Sequence, residues 1–305
     1  MRILIQVPAG LRKQALAYAS ELEKQGNEVI ISAENCFGAC DLRDSEALSL
    51  GCDKIVHYGH VKFVNSKIPV EFIEYRLPCD SIRLKTILER DWKQIEQFKS
   101  FGLVSSLQFL DWLPVLKELL ETKGKKVEIG KSEKPYGDKP ELHSGQLLGC
   151  DGNAGLSVAG KVDCFVSLGS GKFHALAVAL ETKKPLFLLD IERGEIRSAE
   201  AAKELFFKQK AVAVSRAKDS KTFGIVISTK PGQKFFSARD LKSIIEKKGK
   251  TAYIFACDEL KPEKIEDFPV DCIVNTACPR IAIEDRIQFS KPIINPDELM
   301  EALAL

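Results

Sequence analysis

LGCDKIVHYGH (50–60), GKVDCFVSLGS (160–170) and FPVDCIVNTAC (268–278) align without a gap. Each places an aspartate fourth (Asp53, Asp163, Asp271), then an apolar run that reads as a strand, then a turn of small residues. Each is followed by a stretch that returns to a strand with proline near its start: IPVEFIE (68–74), KPLFLLD (184–190) and KPIIN (291–295). A further phrase, FGACD (37–41), LLGCD (147–151) and IFACD (254–258), reads in each case as a strand ending in Cys-Asp. Self-similarity at this scale means one supersecondary unit used three times.

Around these stretches apolar strands alternate with amphipathic helices, the pattern of an α/β fold. RILIQV (2–7) leads to a helix from about Leu11, with Leu11, Ala15, Tyr18 and Leu22 at helical spacing, and Gly26 stops it before EVIIS (28–32). The phrase recurs as FGIVIST (223–229), a helix capped by Ser237 and stopped at Gly249, and TAYIFA (251–256). In INPDELMEAL, Asn295 caps, Pro296 opens the first turn and Glu298 closes a capping box. The reading is three related α/β units, 1–95, 96–210 and 211–305, each with a small parallel sheet, arranged around a pseudo-threefold axis. Ligands of such sheets gather beyond the carboxyl ends of the strands. A centre needing one ligand per unit suits that arrangement.

Composition excludes several classes. Apolar residues at 45% and charged residues at 29% describe a globular chain, and a formal charge of +2 advertises no field for nucleic acid or a membrane surface. No apolar run reaches the ~18 residues of a membrane helix. The opening MRILIQVPAG reads as strand and turn rather than a secretory leader, so cytoplasm is the expected compartment.

Nine cysteines, an odd number without a leader, argue against a disulfide framework and leave buried thiols or metal ligands. Cys164 and Cys272 fall inside strands and read as core; Cys52 and Cys79 read as structural. Cys36 and Cys40, four apart, have no second pair to complete a zinc knuckle, and Arg43 stands where a CxxxCxxC loop needs its third cysteine. The repeat nominates Cys40, Cys150 and Cys257. Local chemistry nominates Cys278 instead, because Cys-Pro is familiar around iron–sulfur ligands and proline stiffens the turn. On the residues alone the third ligand stays open.

FGACD (37–41), HSGQLLGC (143–150), ISTKPGQ (227–233) and NTACPRI (275–281), in order and across the whole chain, resemble the archaeal diphthamide biosynthesis enzymes, the 2-(3-amino-3-carboxypropyl)histidine synthases. HYGHVKF (57–63) suits that family too. The resemblance implies that Cys40, Cys150 and Cys278 bind a [4Fe–4S] cluster, leaving Cys257 as a relic of the repeat and Cys36 as a bystander. Three thiolates leave one iron open. The family places S-adenosylmethionine (SAM) there, breaks its S–Cγ bond to give a 3-amino-3-carboxypropyl radical, and joins that fragment to C2 of a histidine of translation elongation factor 2, releasing methylthioadenosine. A homodimer and an external electron donor are also implied.

SAM carries a carboxylate, an ammonium, a ribose and an adenine. Arg280 offers a fork for the carboxylate, against the plainer reading of a surface arginine in an ion pair. Gly169, Ser170 and Gly171 in LGSGKFH form a glycine-bearing turn before a helix, a place for anions. Gly59 and His60 sit at the matching turn of the first unit, and Gln233 follows the strand that opens the third. Two competing expectations stand beside the transferase: a quinolinate synthase-like [4Fe–4S] dehydratase, and a non-catalytic partner subunit.

Overall fold

The computed structural model describes residues 1–132, 141–171, 174–233 and 236–304. The fold is α/β, with three small sheets that are parallel but for one strand. The first comprises β1 (Arg2–Gln6), β2 (Glu28–Ile31), β3 (Lys54–Tyr58) and β4 (Val70–Ile73), in spatial order β2-β1-β3-β4. The second comprises β5 (Ser100–Ser105), β6 (Lys126–Glu128), β7 (Cys164–Gly169), β8 (Leu186–Asp190) and β9 (Glu195–Ser198), in order β6-β5-β7-β8-β9. The third comprises β10 (Thr222–Ser228), β11 (Thr251–Cys257), β12 (Cys272–Asn275) and β13 (Ile293–Ile294), in order β11-β10-β12-β13. The same doubly wound order occurs three times, as the repeat requires. Compactness groups the sheets differently: Met1–Lys203 holds the first two and Glu204–Leu305 the third.

Why the aligned stretches fold alike is visible at their aspartates. Asp53 accepts the Arg2 N–H at 2.7 Å, Asp163 those of Lys99 and Ser100 at 3.0 and 2.9 Å, and Asp271 those of Lys221 and Thr222 at 2.9 and 2.8 Å. In each sheet the residue ahead of the third strand thus ties down the foot of the first. Above the tether, alternate residues enter opposite cores. Leu4 and Ile55 face one cluster while Ile3, Ile5 and Val56 face another, and Phe223, Ile225 and Val274 oppose Val226 and Ile273 in the third sheet. Cys164 and Cys272 occupy one aligned position and are fully buried. Burial pushes the Cys164 thiol up to about 12 and raises Cys272 further, so both are inert packing groups. Cys52 belongs to the first sheet's core and Cys79 packs against the second's.

The expected caps form. Ser237 accepts the Asp240 N–H at 3.3 Å, Gly249 takes φ +72°, and Glu298 accepts the Asn295 N–H at 3.0 Å. Two expectations need correction. The middle sheet is mixed, because the chain doubles back after Asp190 and β9 pairs antiparallel with β8. And of the three Cys-Asp phrases only IFACD ends a strand: Cys40 and Cys150 lie in turns well beyond β2 and β6. The three phrases nevertheless follow the same strand of each sheet in chain order.

Candidate metal centre

In a sheet of this order the crevice opens between the first and third strands, at their carboxyl ends. The aligned stretches put a buried polar residue there each time: His57, Ser167 and Asn275. Asn275 reaches the turn three residues on. Its Nδ2 donates to the Cys278 carbonyl at 2.8 Å and to Asn295 Oδ1 at 2.9 Å, while its Oδ1 accepts the Ala277 N–H at 3.1 Å. Asn295 Nδ2 donates to the Pro279 carbonyl at 3.1 Å. The Cys278-Pro279 turn is therefore gripped from two buried amides. Burial raises the Cys278 thiol, and the Arg280 N–H and guanidinium charge pull it back toward the thiolate.

His57 reaches forward over the same interval, its Nε2 lying 2.9 Å from His60 Nδ1. Its Nδ1 lies 3.1 Å from Gln6 Oε1, the side chain of its register partner on β1. Gln6 Nε2 donates to the Asp41 carbonyl, and Gln6 Oε1 also accepts the Arg43 N–H at 3.2 Å. That fixes the tautomers: His57 donates from Nδ1 to Gln6, so its Nε2 accepts the Nδ1–H of His60. Burial keeps both imidazoles neutral, His57 well below its usual range and His60 at about 4. Through Gln6, this network holds the backbone on both sides of Leu42, directly beyond Cys40 and Asp41. Arg43 adds an ion pair to the buried Asp41 at 3.5 Å.

Cys150 sits in a two-residue turn, Leu148 and Asp151 exchanging backbone bonds at 3.1 and 3.2 Å. Asp151, fully buried, accepts the Asn153 N–H at 2.8 Å. Leu148 packs on the cluster that also receives Cys40, so within Met1–Lys203 the two cysteine turns share one apolar support. Cys257 closes β11 and packs against the core of the third sheet, where burial raises its thiol.

The other expected residues fall as follows. Gly59 has φ +94°, a backbone conformation that L side chains rarely adopt, and a Cβ there would come within 2.8 Å of the Leu11 side chain. Gly169 ends β7, Ser170 is exposed, and Gly171 (φ +73°) donates its N–H to Asp190 at 3.3 Å; Lys172 and Phe173 of LGSGKFH lie outside the described residues. Gln233 is buried in the turn after β10. Arg280 is no surface side chain: it is 3% exposed, and its Nη2 pairs with Glu284. Cys36 is not isolated either, for its sulfur lies within 4.8 Å of ring nitrogens of His57 and His60. Gln6, His57, Asn275 and Asn295 escaped sequence reasoning as site residues. For His57 and Asn275 the signal was a polar residue at one aligned position, interrupting IVH and IVN.

The family model described as "Putative diphthamide synthesis protein" matches residues 7–304. The chain belongs to the diphthamide synthesis family. Among its relatives, the 2-(3-amino-3-carboxypropyl)histidine synthase of Pyrococcus horikoshii is 31% identical, the alignment covering 100% of this chain and 86% of that one. The enzyme of the same name from Methanocaldococcus jannaschii is 29% identical over 97% and 83% of the two chains. Subunit 1 of the Caenorhabditis elegans synthase is 30% identical over 99% and 75%. A crystal structure of Dph2 from Pyrococcus horikoshii with a 4Fe-4S cluster superposes with TM-score 0.87 at 29% identity, covering 99% of this chain and 86% of that one. The synthase relatives that align over nearly the whole chain mark it as a transferase. No helix among the described residues is long and apolar enough to cross a membrane.

The donor set fits an iron–sulfur group of the kind that neighbour carries. Thiols stand in turns pinned by buried side chains, and at Cys278 a backbone N–H and an arginine favour the thiolate, as cluster sulfurs require.

Proposed function

We propose that this chain catalyses the first step of diphthamide biosynthesis, transferring the 3-amino-3-carboxypropyl group of SAM to C2 of a histidine of translation elongation factor 2 and releasing methylthioadenosine. The observation that carries this reading is the survival of three thiols in pinned turns, Cys40, Cys150 and Cys278, in a chain that matches the family over residues 7–304. Those three residues would hold one [4Fe–4S] cluster, one ligand coming from each of the segments 1–95, 96–210 and 211–305. When bound, the cluster supplies one electron to the sulfonium and, with three thiolates, leaves one iron for SAM.

The chain's own task is orientation, because the carbon of SAM that faces the open iron decides which bond breaks. Asn275 and Asn295 keep the Cys278 turn rigid, and Gln6 does the same beside Cys40. Arg280, already neutralised in part by Glu284, orients the SAM carboxylate. Gly59, His60, Gly169, Ser170, Gly171 and Gln233 line the remainder of the SAM site. The enzyme works as a cytoplasmic homodimer with an external electron donor. Full-length family resemblance weighs against the dehydratase reading, and retention of every ligand cysteine weighs against a non-catalytic subunit.

The test is anaerobic reconstitution of wild type, Cys278→Ala and Cys257→Ala, followed by iron counting and SAM cleavage under reducing conditions. Wild type and Cys257→Ala are expected to hold one cluster and form methylthioadenosine, and Cys278→Ala to lose turnover. A colourless, iron-free wild-type protein, or turnover that survives in Cys278→Ala and vanishes in Cys257→Ala, overturns the assignment.

A further inference from the structure

Cys36, His57 and His60 are not among the three cysteines assigned to the cluster, yet they converge. One ligand atom from each, a sulfur and two imidazole nitrogens, lies within 4.8 Å of the others. They come from separate pieces of chain: Cys36 from the loop after β2, His57 from within β3, and His60 from the turn that follows β3. Cys36 and His57 are buried and His60 partly so.

We propose that Cys36, His57 and His60 form a site for one divalent transition-metal ion of the zinc class, independent of the iron–sulfur ligands.

One thiolate with two imidazoles is a donor set that suits zinc or cobalt(II) and leaves a fourth tetrahedral position for water or an added ligand. The surrounding hydrogen bonds already have the form of a metal-site support. Gln6 Oε1 takes the Nδ1–H of His57 at 3.1 Å, which turns the Nε2 lone pair toward His60, and Gln6 is itself fixed by Asp41 and Arg43. His57 Nε2 and His60 Nδ1 now stand 2.9 Å apart with a proton between them. Two nitrogens on one tetrahedral ion at ordinary bond lengths stand roughly 3.3 Å apart, so a few tenths of an ångström of opening brings this nitrogen pair to the spacing a metal needs. The proton balance is simple. The Nδ1 proton of His60 passes to its own Nε2, the thiol proton of Cys36 goes to solvent, and one proton is released per ion bound. The aligned stretches add a coincidence of position, since His60 stands where the third unit carries Cys278.

The experiment uses the full chain with Cys40→Ser, Cys150→Ser and Cys278→Ser, so that no cluster forms, titrated anaerobically with Co2+. The expected result is one Co2+ per chain, with a sulfur-to-cobalt charge-transfer band and the intense visible bands of tetrahedral cobalt, displaced by Zn2+. Adding Cys36→Ser is expected to abolish the charge-transfer band with far-ultraviolet dichroism unchanged. His60→Gln should weaken binding by about tenfold or more, and Cys257→Ser should change nothing. Absence of stoichiometric Co2+ binding in the folded chain, or a charge-transfer band that survives Cys36→Ser, refutes the site and leaves a hydrogen-bonded histidine pair. Because the cluster ligands are absent throughout, neither outcome bears on the iron–sulfur assignment.

Discussion

The carboxylate of Asp271 accepts the Thr222 N–H at 2.8 Å, fastening the foot of β12 to the foot of β10. Asp163 and Asp53 repeat the bond in their own sheets. Asp271→Ala leaves two strand-start N–H groups to water, and the expected cost is on the order of 1–2 kcal/mol. It is read as a lower urea midpoint at unchanged slope. An unchanged midpoint would make the repeated aspartate a bystander.

The same tethers set an acid limit. Bonds from Thr222 and Lys221 hold the Asp271 carboxyl below its ordinary 3.8, and those from Lys99 and Ser100 do so for Asp163. Unfolded, both titrate at the ordinary value, so below it the unfolded chain binds more protons. Their contribution is therefore present above pH 3.8 and lost as the pH falls through the depressed folded values. Both groups are exposed, so the effect is small. Asp163→Asn with Asp271→Asn keeps an acceptor but no titration. The double variant is expected to lose stability less steeply below pH 4 than wild type, measured as urea midpoint against pH.

Gly59 is fixed by space as well as by angle, with Leu11 at 2.8 Å and Pro8 at 3.3 Å from where a Cβ would stand. Gly59→Ala is expected to cost roughly 1–3 kcal/mol, because positive φ and crowding act together. The paired control is Gly124→Ala, also at positive φ but with open space around it, which is expected to cost about 1 kcal/mol. Thermal melts of the two distinguish strain from collision.

Arg286 Nη2 grips both oxygens of Glu298 at 2.6 and 2.5 Å, and both side chains are buried. Burial raises the Glu298 carboxyl and Arg286 opposes the shift. Arg286→Met strands a carboxylate and is expected to destabilise by about 3–5 kcal/mol. Adding Glu298→Gln removes the stranded charge while keeping an acceptor for the Asn295 N–H, and part of the loss should return. Equal losses in the single and double variants would show that packing, not charge, holds the pair.

The sheets were legible because strands buried on both faces write long apolar runs, and three gapless copies of the same run give one topology. The antiparallel β9 was not, since four residues, EIRS, carry too little alternation to declare a strand. Cys-Asp misled for a different reason: the phrase repeats, but the length of chain between it and the preceding strand does not, so FGACD and LLGCD fold as turns while IFACD finishes β11. For Arg280 the sequence left a carboxylate fork and a surface ion pair side by side, because nothing local reveals that Glu284, one helical turn on, is there to accompany it inward. Gln6 and His57 meet only across the register of β1 and β3, a relation no linear spacing encodes.

Asn275 is where fold and proposed chemistry meet most directly, since it closes β12 and also ties down Cys278. Its amide makes bonds at 2.8, 2.9 and 3.1 Å from a buried position. Asn275→Ala leaves the Cys278 carbonyl and the Asn295 side chain short of a partner, an expected loss of about 1–3 kcal/mol. The consequence for the turn is separable from that loss. With the amide gone the Cys278 backbone gains freedom, and a thiolate that must be found rather than presented binds its group less tightly. Removing a side chain that hydrogen-bonds a metal ligand into place weakens metal binding by roughly 10–100-fold. Asn275→Ala is therefore expected to reconstitute with less iron than wild type and to lose it faster to a chelator, at temperatures where dichroism shows the chain still folded. Asn295→Ala, which removes the Pro279 bond, the acceptor of one Asn275 bond and the helix cap but leaves the Asn275 bond to the Cys278 carbonyl, should fall between that variant and wild type. If Asn275→Ala retains iron as wild type does, the proline and the Arg280 N–H suffice to hold the turn, and the buried amide serves the fold alone.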